Sequence, residues 1–302
     1  MKSMKLTLGP VLFNWQPEVW RDFYFRIADE AAVDTVAVGE VVCSKRMPFF
    51  DDHLPAVIER LTVAGKQVLV SSLALITLER ERRRTEELAR DPDFIVEAND
   101  VTCLAHLAGR PHAIGPFVNV YNEGTARWFA AQGAQSICLP PELPLSSIAA
   151  IAAATPEVGI EVFAFGRAPL AVSARCYHAR LHKLTKDNCR FVCAIDPDGL
   201  PVDTLDDEHF LVVNGVQTLA HVCTNLIEDI DDLSKAGVAS LRISPQHCDM
   251  LGVIRAFRAV LDGRMSPADG LMETATIYPD VPMENGFLRG RPTLAHRAGS
   301  VA

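Results

Sequence analysis

The amino-acid sequence predicts an α/β protein of the (β/α)8 class: a TIM-type barrel with a cysteine-containing insertion between strands seven and eight. Three observations predict it. Short β-branched runs alternate with amphipathic helical stretches, and eight strands can be counted. Most of these strands start about 20 to 33 residues apart, the length of one strand, turn and helix. One interval alone, 166–237, holds far more chain than a single helix needs. A barrel of this kind takes up the whole chain, so one domain over 1–302 is expected, with the insertion inside it.

The elements follow in order. Leu6–Gly9 reads as the first strand, and Pro17 opens a helix whose Val19, Trp20, Phe23 and Ile27 share one face. Thr35–Val38 is the second strand and runs into Gly39-Glu40-Val41-Val42-Cys43. Leu54, Val57, Ile58 and Leu61 fall at helical spacing, Gly65 stops that helix, and Gln67–Ser71 is the third strand. A helix rich in Glu and Arg covers Leu78–Leu88. Phe94–Glu97, Ala113–Val118, Ser136–Leu139 and Glu161–Phe165 are strands four to seven, with helices near Thr125–Gln132 and Ser147–Ala154; Val238–Ile243 is the eighth. Within the insertion, Phe191–Ile195 and Phe210–Val213 flank the turn-rich Asp196-Pro197-Asp198-Gly199 and are expected to form a hairpin or small subdomain, closed by a helix at Asn225–Lys235.

With 49% hydrophobic and 22% charged residues, the chain has the composition of a folded domain. Its longest apolar runs, Val68–Ile76 and Ile148–Ala154, are too short to span a bilayer. No apolar segment of signal-peptide length follows Met1–Lys5, because Pro10, Asn14 and Gln16 interrupt it. A cytoplasmic protein without a transmembrane segment is therefore expected. In a reducing compartment its eight cysteines stay as thiols or ligands, and the net charge of −9 disfavours a nucleic-acid surface.

Cys176, Cys189 and Cys193 lie within eighteen residues, beside Arg175, His178, Arg180, His182, Lys183 and Lys186. Packing alone does not explain such a density. With Cys43 they make four soft ligands, which suit zinc or a 4Fe-4S cluster. Structural zinc sites favour paired knuckles with two to four intervening residues, whereas the spacing here is one distant cysteine followed by C-x12-C-x3-C. Spacing favours iron–sulfur and leaves zinc and unrelated free thiols open. Nearby cations would lower the thiol pKa values and offset the charge of four thiolates.

Barrel geometry makes a meeting of the four feasible. Loops that follow the strands emerge on one face, and strands two and seven are separated round the ring only by strands one and eight. Cys43 and the insertion thiols can thus converge although 133 positions separate Cys43 from Cys176.

The remaining polar features have plainer readings beside them. Cys103, Cys138, Cys223 and Cys248 read as small buried hydrophobes, and His221-Val222-Cys223 and His247-Cys248 belong to no four-ligand pattern. Glu40 can serve as acid, base or acceptor near Cys43, or form an ion pair with Lys45 or Arg46. Arg167 and Arg175 suit an anionic substrate or simple charge screening. The Glu79–Arg84 run and the acidic run Glu228–Asp232 read as solvated faces. There is no H-E-x-x-H, G-x-S-x-G, G-x-G-x-x-G or Walker motif, so neither proteolysis nor nucleotide binding is expected, and no catalytic residue is assigned.

Several segments resemble one family. They are Val162-Phe163-Ala164-Phe165-Gly166-Arg167-Ala168-Pro169-Leu170-Ala171, Ser173-Ala174-Arg175-Cys176, Lys186-Asp187-Asn188-Cys189-Arg190-Phe191-Val192-Cys193, Leu8-Gly9-Pro10-Val11-Leu12, Gly39-Glu40-Val41-Val42-Cys43-Ser44-Lys45-Arg46 and Asn214-Gly215-Val216-Gln217-Thr218. Together they resemble the UbiU/UbiV group of ubiquinone-biosynthesis proteins, within the collagenase-like peptidases. The resemblance implies a 4Fe-4S protein with ligands at Cys43, Cys176, Cys189 and Cys193. It also implies a heterodimer with UbiU, a sterol-carrier-like lipid-binding accessory protein and oxygen-independent hydroxylation of a ubiquinone precursor during anaerobic growth, with prephenate as the oxygen source. A non-catalytic partner of UbiU, or RNA hydroxylation as in other relatives, are the alternatives. The tail from Arg289 to Ala302 carries least of the likeness.

Overall fold

The computed structural model describes residues 4–291. Eight strands close a parallel barrel: β1 (Lys5–Leu8), β2 (Thr35–Val38), β3 (Gln67–Ser71), β4 (Ile95–Ala98), β5 (His112–Ile114), β6 (Ala134–Leu139), β7 (Gly159–Val172) and, after three strands of the insertion, β11 (Ser240–Ile243). Closure is made by β11, which pairs in parallel with both β7 and β1. The predicted class is therefore the observed one. β2 and β3 match their expected limits, and the others differ mainly at their ends.

Alternation along the strands explains both layers of the core. Leu241 and Ile243 of β11, Val96 and Ala98 of β4, and Ile160 and Val162 of β7 belong to the large apolar cluster shared with the surrounding helices. Arg242, Glu97 and Glu161 stand at the intervening positions and so face the barrel axis. There Arg242 Nε donates to Glu161 Oε1 at 2.6 Å, its Nη2 contacts Glu97, and Ser71 Oγ donates to Glu97 Oε2 at 2.6 Å. Burial works against the Arg242 charge, but the two carboxylates outweigh it and hold its pKa well above the usual value.

The first helix, Pro17–Glu30, buries Trp20, Tyr24, Ile27 and Ala28. Val19, expected on that face, is instead 51% exposed, because the inward stripe runs through Trp20 and Tyr24. Among the described residues no helix is long and apolar enough to cross a membrane.

The insertion departs from expectation. Phe191–Ile195 is not a strand; Val192–Ala194 forms a short 3-10 helix. The hairpin lies further on, in β8 (Leu200–Asp203), β9 (His209–Asn214) and β10 (Gln217–Asn225), an antiparallel meander. β10 pairs antiparallel with the far half of β7, which continues beyond Phe165 to Val172. The extension of β7 thus carries the insertion outward from the barrel, and the expected helix at Asn225–Lys235 shortens to Ile230–Lys235. A last short strand, β12 (Met283–Glu284), pairs with β10.

The acidic run 228–232 is only partly a solvated face. Asp229 is buried and accepts from Asn285 Nδ2 at 3.1 Å, with Arg289 beside it, while Asp232 pairs with Arg289 at 3.1 Å. The tail beyond Arg291 lies outside the described residues.

Candidate metal centre

The loop after β2 and the insertion after β7 meet at the barrel mouth. Cys43, Cys176, Cys189 and Cys193 line one small cavity together with Arg46, Lys186, Phe191, Val192, Gly215 and Val216. All four cysteines singled out in the sequence are brought together, and each is a free thiol.

Each thiol has a local reason for its place. Gly39, with φ +111°, lets the chain turn off β2 where a Cβ would come within 3.1 Å of the Ser71 carbonyl oxygen. Glu40 then folds back, its Oε1 accepting from the backbone N–H groups of Val42 and Cys43, both at 2.8 Å. Cys176 caps the helix Tyr177–Leu181: Ala179 N–H donates to its Sγ at 3.4 Å, and the thiol donates to the Gly215 carbonyl at 3.2 Å. Between Cys189 and Cys193 the chain passes through two consecutive left-handed residues, Arg190 (φ 49°) and Phe191 (φ 54°). A residue held in such a region costs about 1–3 kcal/mol, and here it curls the segment so that both sulfurs reach one cavity. Cys193 Sγ accepts from Asn14 Nδ2 at 3.3 Å.

Burial, the larger influence, pushes the Cys43 and Cys176 thiols up, against a lowering by Arg46 at both. Arg46 is the cation at the centre of the site. It is almost wholly buried, donates to Leu12 O at 3.1 Å and to Asn214 Oδ1 at 2.7 Å, and lies 4.0 Å from Glu40. Gly215 makes room for it, since a Cβ there would come within 2.3 Å of Arg46 Nη2. Asn214 also donates through Nδ2 to the Cys193 carbonyl at 2.9 Å, so one side chain ties the β2 loop to the thiol turn. Lys45 completes the link by donating to Lys186 O at 2.7 Å. In the sequence Arg46 is one of two partners open to Glu40, and Asn214 is only part of a segment of family likeness; no local pattern marks a cation buried by a partner 168 residues away.

Other expectations are refined. Of the two ion pairs considered for Glu40, the structure has the one with Arg46, and the same carboxylate also orders the Cys43 backbone. Arg167 and Arg175 do not line the cavity. Arg167 is buried against Asp198 at 3.0 Å and over the Tyr278 ring, and Arg175 is exposed. Of the cations clustered near the thiols in sequence, Lys186 lines the cavity. Burial pushes Cys103 up to about 11 and Cys248 to about 12, and raises Cys138 and Cys223 as well, which suits inert packing thiols. The Glu79–Arg84 run is only partly a solvated face: Arg82 and Arg83 pair with Glu79 along the helix Glu79–Arg90, but Arg84 reaches Asp51 and Glu81 is buried, accepting from the Thr77 and Leu78 N–H groups at 2.7 and 2.9 Å.

Among the described residues, the group of three or more ligands whose donor atoms all lie within 4.8 Å of one another is His178, His182 and Asp196. The four thiols are set wider. A tetrahedral zinc ion with Zn–S bonds of about 2.3 Å would draw its sulfurs to about 3.8 Å apart. The cavity gathers the four thiols with Arg46 and Lys186, and two of the sulfurs accept N–H donors. The model of peptidase family U32 matches residues 24–297, so the chain belongs to that family.

Proposed function

We propose that Cys43, Cys176, Cys189 and Cys193 hold a 4Fe-4S cluster, and that the chain is the iron–sulfur subunit of an oxygen-independent hydroxylation system in ubiquinone biosynthesis. The observation that carries the cofactor is the gathering of these thiols in one cavity from loops 133 positions apart. The substrate, the UbiU partner, the lipid-binding accessory protein and the anaerobic setting rest on the resemblance of the sequence segments to the UbiU/UbiV group.

A bound cluster would supply one-electron transfer, or a Lewis-acidic iron if one thiolate were released. The chain's own residues do the rest. Arg46 and Lys186 offset the negative charge of the ligand set. Asn14 and the Ala179 N–H donate to sulfur, an interaction that raises the reduction potential of such centres. Glu40 holds the Cys43 backbone and balances Arg46, so the β2 loop keeps its shape. Peptide hydrolysis is disfavoured despite the family's title, since a nucleophilic thiolate must be free to attack and these thiols are committed to the cavity.

One observation favours a second reading, a non-catalytic partner whose cluster braces the fold while UbiU performs the chemistry. The polar centre of the barrel is filled by Arg242, Glu97 and Glu161 bonded to each other, which leaves these charges no evident call on a substrate.

Anaerobic purification should give a brown protein with about four iron and four sulfide per chain, as four thiolates on a cubane require. Cys43→Ala should deplete the iron and Cys103→Ala should not; equal iron in both would end the cluster assignment. Anaerobic turnover by each subunit alone and by the pair, with ligand variants on one side at a time, separates the catalytic role from the bracing one.

A further inference from the structure

We propose that His178, His182 and Asp196 form a second, mononuclear site for a divalent first-row transition cation of the zinc class, distinct from the thiol cavity. The donor atoms of the three residues lie within 4.8 Å of one another. They come from two places on the insertion. His178 lies in the helix Tyr177–Leu181 and His182 is its C-terminal cap, so their four-residue separation sets both rings on one side, stacked at 5.4 Å and 10°. Asp196 follows the 3-10 helix Val192–Ala194, and its backbone carbonyl is held by Asn214 Nδ2 at 2.8 Å.

His178 carries the argument. Its side chain is wholly buried, and Nδ1 lies 3.3 Å from the Val213 carbonyl oxygen. A carbonyl only accepts, so Nδ1 carries a proton and Nε2 is the nitrogen turned toward Asp196. That Nε2 has no hydrogen-bond partner, yet Asp196 Oδ2 stands 3.0 Å away. A proton on Nε2 would satisfy that pair, and a divalent cation in its place would also engage His182, whose donor atom lies within 4.8 Å of both. A backbone carbonyl on the outer ring nitrogen is also what fixes a metal-binding imidazole in its ligating tautomer. Two imidazoles and a carboxylate are a ligand set used by zinc and by other borderline divalent ions, and the exposed His182 leaves the remaining coordination positions toward solvent. Arg46 opposes a cation here, but its guanidinium is already engaged by Leu12, Asn214 and Glu40. The ion would join the segment just after Cys176 to the segment just after Cys193, and so clamp the stretch that carries three of the thiols.

Co2+ serves as a spectroscopic stand-in for Zn2+ in an anaerobic titration of the full chain. The expected result is one ion per chain with weak visible bands and no thiolate charge-transfer band. His182→Ala, a change at an exposed position, and Asp196→Asn, which keeps the backbone bond to Asn214, should each weaken that binding. The loss should exceed the roughly 10–100-fold caused by removing an outer partner of a metal ligand. Cobalt bound only with a thiolate band, or unchanged affinity in either variant, overturns the proposal. A chain that lacks iron and sulfide but still shows the nitrogen–oxygen cobalt spectrum would refute the cluster and leave this site standing.

Discussion

The centre of the barrel and the cavity at its mouth both bury an arginine, but they surround it differently. Arg242 meets two carboxylates, Glu161 and Glu97, in a cluster whose charges answer one another within the protein. Arg46 faces one carboxylate, Glu40 at 4.0 Å, and shares its cavity with four thiols. At the centre each charged group has an oppositely charged neighbour within hydrogen-bond reach, whereas at the mouth Arg46 has its one carboxylate at 4.0 Å and an Nε without a hydrogen-bond partner. The contrast is between an arginine bonded directly to carboxylates and one held mainly by neutral acceptors, Leu12 O and Asn214 Oδ1.

Breaking the closed cluster should have the largest effect. Arg242→Leu leaves Glu97 and Glu161 uncompensated inside the barrel, and loss of one partner from a buried ion pair costs about 3–5 kcal/mol. Denaturant unfolding of the two proteins measures it. A cost below 1 kcal/mol, in the range of an exposed pair, would mean that the centre is hydrated and the contrast false.

The next effect sharpens the account of the mouth. Gly215 and Gly263 have similar positive φ values, +71° and +68°, but a Cβ at Gly215 meets Arg46 whereas nothing lies within 4 Å at Gly263. Gly263→Ala should cost about 1–2 kcal/mol, the penalty for a side chain in the left-handed region. Gly215→Ala should cost more and also lower the iron retained after anaerobic purification. Equal losses of stability, with iron unaffected, would show that the position of Arg46 is not critical to the cavity.

The smallest effect concerns the strand end that enters the barrel. His112 is buried at the start of β5, with Nδ1 on the Arg110 carbonyl at 2.7 Å and Nε2 without a partner. Burial, the dominant influence, lowers its pKa below the usual 6.5. Above that value both folded and unfolded chains are neutral at this residue, and its contribution to stability is intact. As pH falls, the unfolded chain takes up a proton that the folded chain resists, so stability declines until the folded pKa is passed. In His112→Asn the unfolding midpoint should fall less steeply with pH below 6.5 than in the parent chain. Parallel curves would place the acid sensitivity elsewhere.

Much of the barrel was legible because its signals are local. Thr35–Val38 and Gln67–Ser71 are short apolar runs bounded by turn residues, and the structure has strands with those limits. Phe191–Ile195 misled because five largely apolar residues do not by themselves distinguish a strand from a tight turn. There the left-handed Phe191 and the buried Cys193 decide the conformation. The strand β10 was missed because Thr218, His221 and Asn225 interrupt its apolar run, and it forms by pairing with the extension of β7. The histidines at 178 and 182 carried a four-residue spacing that could have been read as a ligand pair, but Asp196 looked only like a turn residue.

By itself the sequence determined the eight-unit barrel and which two loops share its mouth, since periodicity and strand order depend on near neighbours. The tertiary structure decided which charges are answered. Only closure of the ring brings Glu97 beside Arg242, and only the return of β9 and β10 sets Asn214 and Gly215 round Arg46. Electrostatic partners act through a few ångströms of space whatever their separation along the chain, so no window of residues contains that information.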